Sequence, residues 1–161
     1  MDDRERWREE PLPFDVGDAR GRLHTFLSQY PEVQAAFLFG SRARGDVRPS
    51  SDVDIAIWLD PQTSAGRRSD LRWEFLALIP EAIGYAGDVD VVILNDAPPA
   101  LGWDVARSPV VLYETAKDVA NAVAFRLRQE YRDELPRLER RRARLFQRIR
   151  EGRFGVRGRP Q

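Results

Sequence analysis

Two aspartates, Asp52 and Asp54, stand two residues apart and lead straight into the apolar run Ile55-Ala56-Ile57-Trp58-Leu59. Separated from Asp52 by ten residues, a Gly40-Ser41 pair closes another apolar run, Phe37-Leu38-Phe39. In an extended chain alternate residues point to one face, so Asp52 and Asp54 project together while Val53, Ile55 and Ile57 turn to a core. Carboxylates so placed repel, and both stay ionised only beside a cation or buried donors. Folding has no use for that arrangement; a divalent metal does. Surface acids on an exposed strand edge are the ordinary account of a bare Asp-x-Asp, but here the pair runs into a buried strand with a Gly-Ser-Arg turn upstream. The turn has chemistry of its own. Gly40 lets the backbone approach an anion, and Ser41 adds a hydroxyl and an amide at the start of a helical turn, which together suit a phosphate. Arg42 and Arg44 are candidates to clamp that phosphate, with Arg48 and Ser51 as weaker ones.

Gly40-Ser41, ten residues, then Asp52-x-Asp54, with Arg42-Ala43-Arg44-Gly45 and Ser50-Ser51 between them, resembles the signature of the minimal nucleotidyltransferases of the DNA polymerase β-like superfamily. The resemblance spans roughly residues 16 to 115. It implies a third carboxylate on a later strand, and Asp90 in Gly87-Asp88-Val89-Asp90-Val91-Val92-Ile93-Leu94 fits that place. Asp88 shares its strand face but is less embedded in the apolar run. The resemblance also implies two magnesium ions held by Asp52, Asp54 and Asp90, with Asp90 as base for the incoming hydroxyl. It implies ATP as the donor, bound through Gly40, Ser41, Arg42, Arg44 and Ser51, and its pattern points to Arg44 more than Arg42.

Small stand-alone domains of this kind resemble the antitoxins of modules whose toxin is a HEPN-domain ribonuclease. The implied activity is transfer of AMP from ATP to a tyrosine of that toxin, which silences it. Two alternatives stand beside it: an antitoxin acting by non-covalent binding, and a transferase for a small molecule such as an aminoglycoside. An RNA acceptor has only a basic C-terminal segment in its favour.

The formal net charge of zero hides that segment. From Arg126 onward there are thirteen basic and five acidic residues, against thirteen basic and twenty-one acidic before it. Such a segment suits an acidic protein surface as well as nucleic acid, and direct nucleic-acid binding is not expected. The chain contains no cysteine, which excludes disulfides and thiolate metal sites. No run approaches the roughly 20 apolar residues of a membrane span, and a cytoplasmic location is expected.

The elements that must position these residues can be read from periodicity. A polar N-terminal segment occupies 1–15, a nucleotidyltransferase core 16–115, an amphipathic helical extension 116–153 and a basic tail 154–161. Within the core, Asp15 or Asp18 caps a helix reaching Tyr30, with Pro31 ending it. Strands follow at Val33–Phe39, Val53–Leu59, Asp88–Leu94 and Val110–Tyr113. A helix over 64–83 turns Leu71, Phe75, Leu78 and Ile79 inward, and another runs from Pro98 to about Arg107. The order predicts an α/β fold, a small mixed sheet flanked by helices. Beyond Thr115 an apolar stripe recurs at Ala120, Ala124, Leu127, Tyr131, Leu135, Leu138, Leu145 and Ile149, with a kink or a new helix expected at Pro136. This extension is expected to serve homo- or hetero-oligomeric assembly. His24, Asp46, Asp60, Trp58, Trp73, Trp103 and the Arg140-Arg141-Arg142 run are assigned structural or solvated roles.

Overall fold

The computed structural model describes residues 12–48 and 51–152; residues 1–11 of the expected N-terminal segment and the expected tail 154–161 lie outside them. The described chain runs α1 (Val16–Leu27), β1 (Val33–Phe39), α2 (Gly40–Arg44), β2 (Val53–Leu59), α3 (Ala65–Ile83), β3 (Val89–Ile93), α4 (Pro99–Ala106), β4 (Val110–Glu114) and α5 (Val119–Arg150). The strands form one mixed sheet in the order β3-β2-β1-β4. β1 is antiparallel to β2 and to β4, and β2 is parallel to β3.

Alternation along the two central strands decides which helix covers which face. Ala36, Leu38, Val53, Ile55, Ile57 and Leu59 pack with Leu23 and Leu27 of α1 and with Leu71, Phe75 and Ile79 of α3. Ala35, Phe37, Ala56 and Trp58 pack on the other face with Val105 and Ala106 of α4 and with Ala120, Val123, Ala124 and Leu127 of α5. Both faces of β1 and β2 are therefore buried, as their unbroken apolar runs require. By parity Asp52 and Asp54 belong to the second face, at the end where its apolar layer stops.

Local chemistry sets the element ends. Asp15 Oδ1 accepts from the Asp18 amide to cap α1. The helix closes at Leu27, short of Tyr30, because the Gln29 and Tyr30 amides bond three residues back and tighten the last turn. β3 stops at Ile93, and the Asn95 side chain then donates to the Leu59 carbonyl (2.8 Å) and accepts from the Leu59 amide (2.9 Å), adding a side-chain rung to β2. Arg20 Nε donates to the Val111 carbonyl on β4 (3.0 Å), and Arg72 Nε to the Val91 carbonyl on β3 (3.2 Å).

Two expectations need correction. Leu78 is exposed, because Leu71, Phe75, Ile79 and Ile83 at fourfold spacing already form the stripe facing the sheet. No second helix begins at Pro136: α5 is continuous for 32 residues. The proline forfeits one amide donor, and the Leu, Arg and Glu residues around it are strong helix formers. The C-terminal helical extension packs on the core through its first half. Ala120, Val123, Ala124 and Leu127 are buried beneath α4, Tyr131 stacks on Trp103 at 5.2 Å, and Arg128 Nη1 donates to the Ala106 carbonyl at 2.7 Å. Only the outer turns of the stripe, Leu145 and Ile149 with Phe146, are left exposed. Trp58 is core, whereas Trp73 and Trp103 are exposed.

Candidate active site

Pairing between strands brings the predicted carboxylates together. Asp54, the second residue of β2, faces Phe39 on β1 and Asp90 on β3. Because β2 and β3 are parallel, registered residues share a face, and Asp52 joins that face two positions earlier. Asp88 lies one residue before β3, where its carbonyl accepts from the Val53 amide at 3.0 Å. Asp90 is thus the acid beside Asp54, and its Oδ1 accepts from the Val91 amide at 2.8 Å.

Asp54 is half-buried, while Asp52 and Asp90 are exposed. Burial, followed by the neighbouring Asp52 and Asp90 charges, pushes the Asp54 carboxyl above its usual range. Arg44 and Arg42 pull the other way and only in part. Among the described residues neither the Asp52 nor the Asp54 carboxylate has a hydrogen-bond or ion-pair partner, which is the condition a hard cation relieves.

Gly40 is the residue that makes room for Asp54. It sits at φ 71°, a conformation costly for any residue with a Cβ, and a Cβ there would lie 2.9 Å from Asp54 Cγ and collide with Oδ2. The glycine expected to admit a phosphate thus also admits a carboxylate. Ser41 follows in the first turn of α2, and Gly45, at φ 75°, ends that helix.

Arg42 and Ser51, both expected on the nucleotide, are bonded to each other. Arg42 Nε and Nη2 donate to the Ser51 carbonyl (3.2 and 2.9 Å), and Nη2 also donates to the Tyr85 hydroxyl (2.6 Å). The Ser51 hydroxyl accepts from the Arg48 amide at 2.8 Å, closing the turn before Asp52. Arg44 remains exposed, 3.4 Å from Asp104 Oδ2. Asp60 is a turn acid, accepting from the Gln62 amide at 2.8 Å, and His24 is an exposed neighbour of Tyr113.

Beside Gly40 opens a cavity of about 490 Å³, walled by Phe39, Arg44, Asp104, Val105, Arg107 and Ser108 among others. Asp104 bridges Arg44 and Arg107, the latter at 3.1 Å. Sequence alone does not single out Asp104, Arg107 or Ser108. Their only signal is three polar residues near the end of a short helix, and nothing local says that β4 returns beside β1.

A divalent cation suits this donor set in part. Oxygen ligands on one face, mutually repelling and unpartnered, are what magnesium selects. Yet among the described residues no three acidic, histidine or cysteine side chains stand close enough to enclose an ion by themselves. Phosphate oxygens and water must complete its shell, as is usual for magnesium bound with a nucleotide.

Among the described residues no helix is long and apolar enough to cross a membrane. The family model described as polymerase beta, nucleotidyltransferase matches residues 22–118. No curated protein matches the chain. Among solved structures, a chain of a toxin–antitoxin complex with AMP-PNP is similar at TM-score 0.59 and 24% identity, over 81% of this chain and 97% of that one. A chain of the complex between tri-AMPylated Shewanella oneidensis HEPN toxin and MNT antitoxin aligns at TM-score 0.57 and 22% identity, over 84% and 98% of the two chains. A mutant MntA–HpeT toxin–antitoxin complex gives 0.58 and 25%, over 80% and 95%. The likeness is one of fold.

Proposed function

This chain belongs to the polymerase β nucleotidyltransferase family, and from that premise we propose that it is an antitoxin that transfers AMP from ATP to a tyrosine of a cognate HEPN-type ribonuclease toxin in the cytoplasm. The observation that carries the proposal is the registered pair Asp54–Asp90 with Asp52 on the same face and Gly40 held open against Asp54. The toxin–antitoxin complexes among the structural neighbours, one with an AMPylated HEPN toxin, support the choice of acceptor.

In this reading Asp52, Asp54 and Asp90 would hold two magnesium ions, with Asp90 toward the acceptor. When bound, the ions would neutralise phosphate charge and lower the pKa of the attacking hydroxyl. The Gly40–Ser41 amides and the Ser41 hydroxyl bind phosphate oxygens, and Arg44, at the mouth of the cavity, turns from Asp104 to the triphosphate. The tyrosine oxygen bonds to the α-phosphorus as the bond from that phosphorus to the pyrophosphate oxygen breaks. The phenolic proton, with a pKa near 10 in free tyrosine, passes to Asp90. An AMP placed near the ribonuclease site adds a bulky anion that repels the RNA backbone.

Intact mass spectrometry of the toxin encoded beside this chain, incubated with it, ATP and magnesium, tests the proposal. One or more AMP increments on tyrosine, absent with Asp52→Asn, are expected. A toxin that is inhibited yet unmodified overturns the transfer and leaves non-covalent binding, for which the exposed outer turns of α5 are the available surface.

A further inference from the structure

We infer that Arg42 is a positioning residue that fixes Asp52 relative to Asp90, rather than a ligand of the triphosphate. The inference rests on the nucleotidyltransferase reading of those carboxylates. Its starting point is a weakness in the fold. Asp52 precedes β2, which begins at Val53, so its backbone is not part of a strand ladder. The Ser51–Asp52 peptide is held instead by the Arg42 guanidinium, through the two bonds to the Ser51 carbonyl.

Arg42 can act as an anchor because it is itself anchored. Its Nη1 donates to the Leu12 carbonyl (3.2 Å) and its Nη2 to the Tyr85 hydroxyl. The Phe14 and Tyr85 rings lie 5.8 and 5.3 Å from its central carbon. A guanidinium has five N–H donors, and these contacts engage four of them. One is left for a phosphate, so gripping a triphosphate would mean breaking the grip on Ser51. Tyr85 carries the restraint to the third carboxylate. Its ring packs against Gly87, where a Cβ would come within 2.7 Å of it, on the chain entering β3 and Asp90. One side chain of α2 thereby ties the Gly40–Ser41 turn, the Asp52 peptide and the approach to Asp90 into a single unit. Lysine keeps the charge but lacks the planar fork, so Arg42→Lys separates the geometry Arg42 supplies from its charge.

Two measurements test this on the full chain. The first is hydrogen exchange of peptides covering 46–56 in the nucleotide-free protein, comparing wild type, Arg42→Lys and Tyr85→Phe. Faster exchange there is expected in Arg42→Lys and, more mildly, in Tyr85→Phe, with exchange in α3 and α5 unchanged. Unchanged exchange at 46–56 in Arg42→Lys overturns the inference. Because no nucleotide is present, this arm stands apart from the transferase reading. The second is the affinity for Mn²⁺ in the presence of AMP-PNP, set against AMP-PNP binding with metal removed. Arg42→Lys should weaken Mn²⁺ about 10–100-fold, the usual cost of losing a group that orients a metal ligand, and leave metal-free AMP-PNP binding as in wild type. A loss of metal-free AMP-PNP binding as large as that in Arg44→Ala makes Arg42 a phosphate ligand and overturns the inference.

Discussion

At one end of the β1–β2 ladder Glu32 meets Arg67 at 2.8 Å, and Arg67 reaches on to Glu74 at 3.9 Å. At the other end Asp54 faces Asp90 with Asp52 beside it, and among the described residues no arginine pairs with Asp54. The same two strands thus hold acids in opposite conditions. The Arg67 hydrogen bond holds the Glu32 carboxyl below its usual range. Burial and two neighbouring carboxylates hold that of Asp54 above it. Tyr30, donating to Glu74 at 2.8 Å within the first cluster, is pushed up to about 12 by burial and by that carboxylate. One end is finished as a fold; the other is left open to be completed by something bound. Stability and function are separated along a single strand pair, and substitutions should separate them too.

The largest effect is expected from Asp54→Asn. Transfer should fall to background, while the metal-free protein becomes more stable at pH 7 by up to about 1 kcal/mol, the scale of partly exposed charge interactions. The native Asp54 carboxyl titrates above its unfolded value, so its contribution is fully present below about 3.9. That contribution is lost as pH rises through the native value. The gain from the amide should therefore vanish in acid, which thermal melts from pH 3 to 7 would check. Gly40→Ala comes next and should cost on both counts. A Cβ at φ 71° costs about 1–2 kcal/mol, and it also displaces the Asp54 carboxylate. Denaturant melts and an AMP-transfer assay should both fall, whereas Asp54→Asn moves them in opposite directions.

The smallest effect sharpens the other side. Glu32→Gln removes the Arg67 partner and should leave transfer at the wild-type rate. Thermal stability should drop slightly at neutral pH. Glu32 titrates below its unfolded value, so its stabilisation is present above about 4.3 and fades as pH falls through the native value. Wild type and variant should converge in acid. A variant that lost transfer as well would show that the two ends are coupled.

How far the sequence reveals this division differs between its parts. Strand periodicity and the Gly-Ser turn announce β1, β2 and the aspartates, because side-chain parity and a required glycine are local properties. Asp90 could be preferred to Asp88 from its apolar surroundings, and the register places it beside Asp54. The Arg42–Ser51 contact has no local signal, since the partner carbonyl lies nine residues away in the chain. Asp104, Arg107 and Ser108 were invisible for the same reason, as their proximity to Gly40 depends on β4 returning antiparallel beside β1. The end of α1 is set by a tightened final turn and the exposure of Leu78 by tertiary packing, neither of which periodicity alone conveys.

The two arginines seated on the outer strands have a consequence for recognition. Many proteins capture a partner by letting one of its segments extend their sheet, main chain to main chain. Here a strand arriving at β4 would meet Arg20 on the Val111 carbonyl, and one arriving at β3 would meet Arg72 on the Val91 carbonyl. Sheet extension is disfavoured at both margins. Recognition of a partner would then fall to side chains on helix surfaces and at the open carboxylate end, where sequence can discriminate one partner from another.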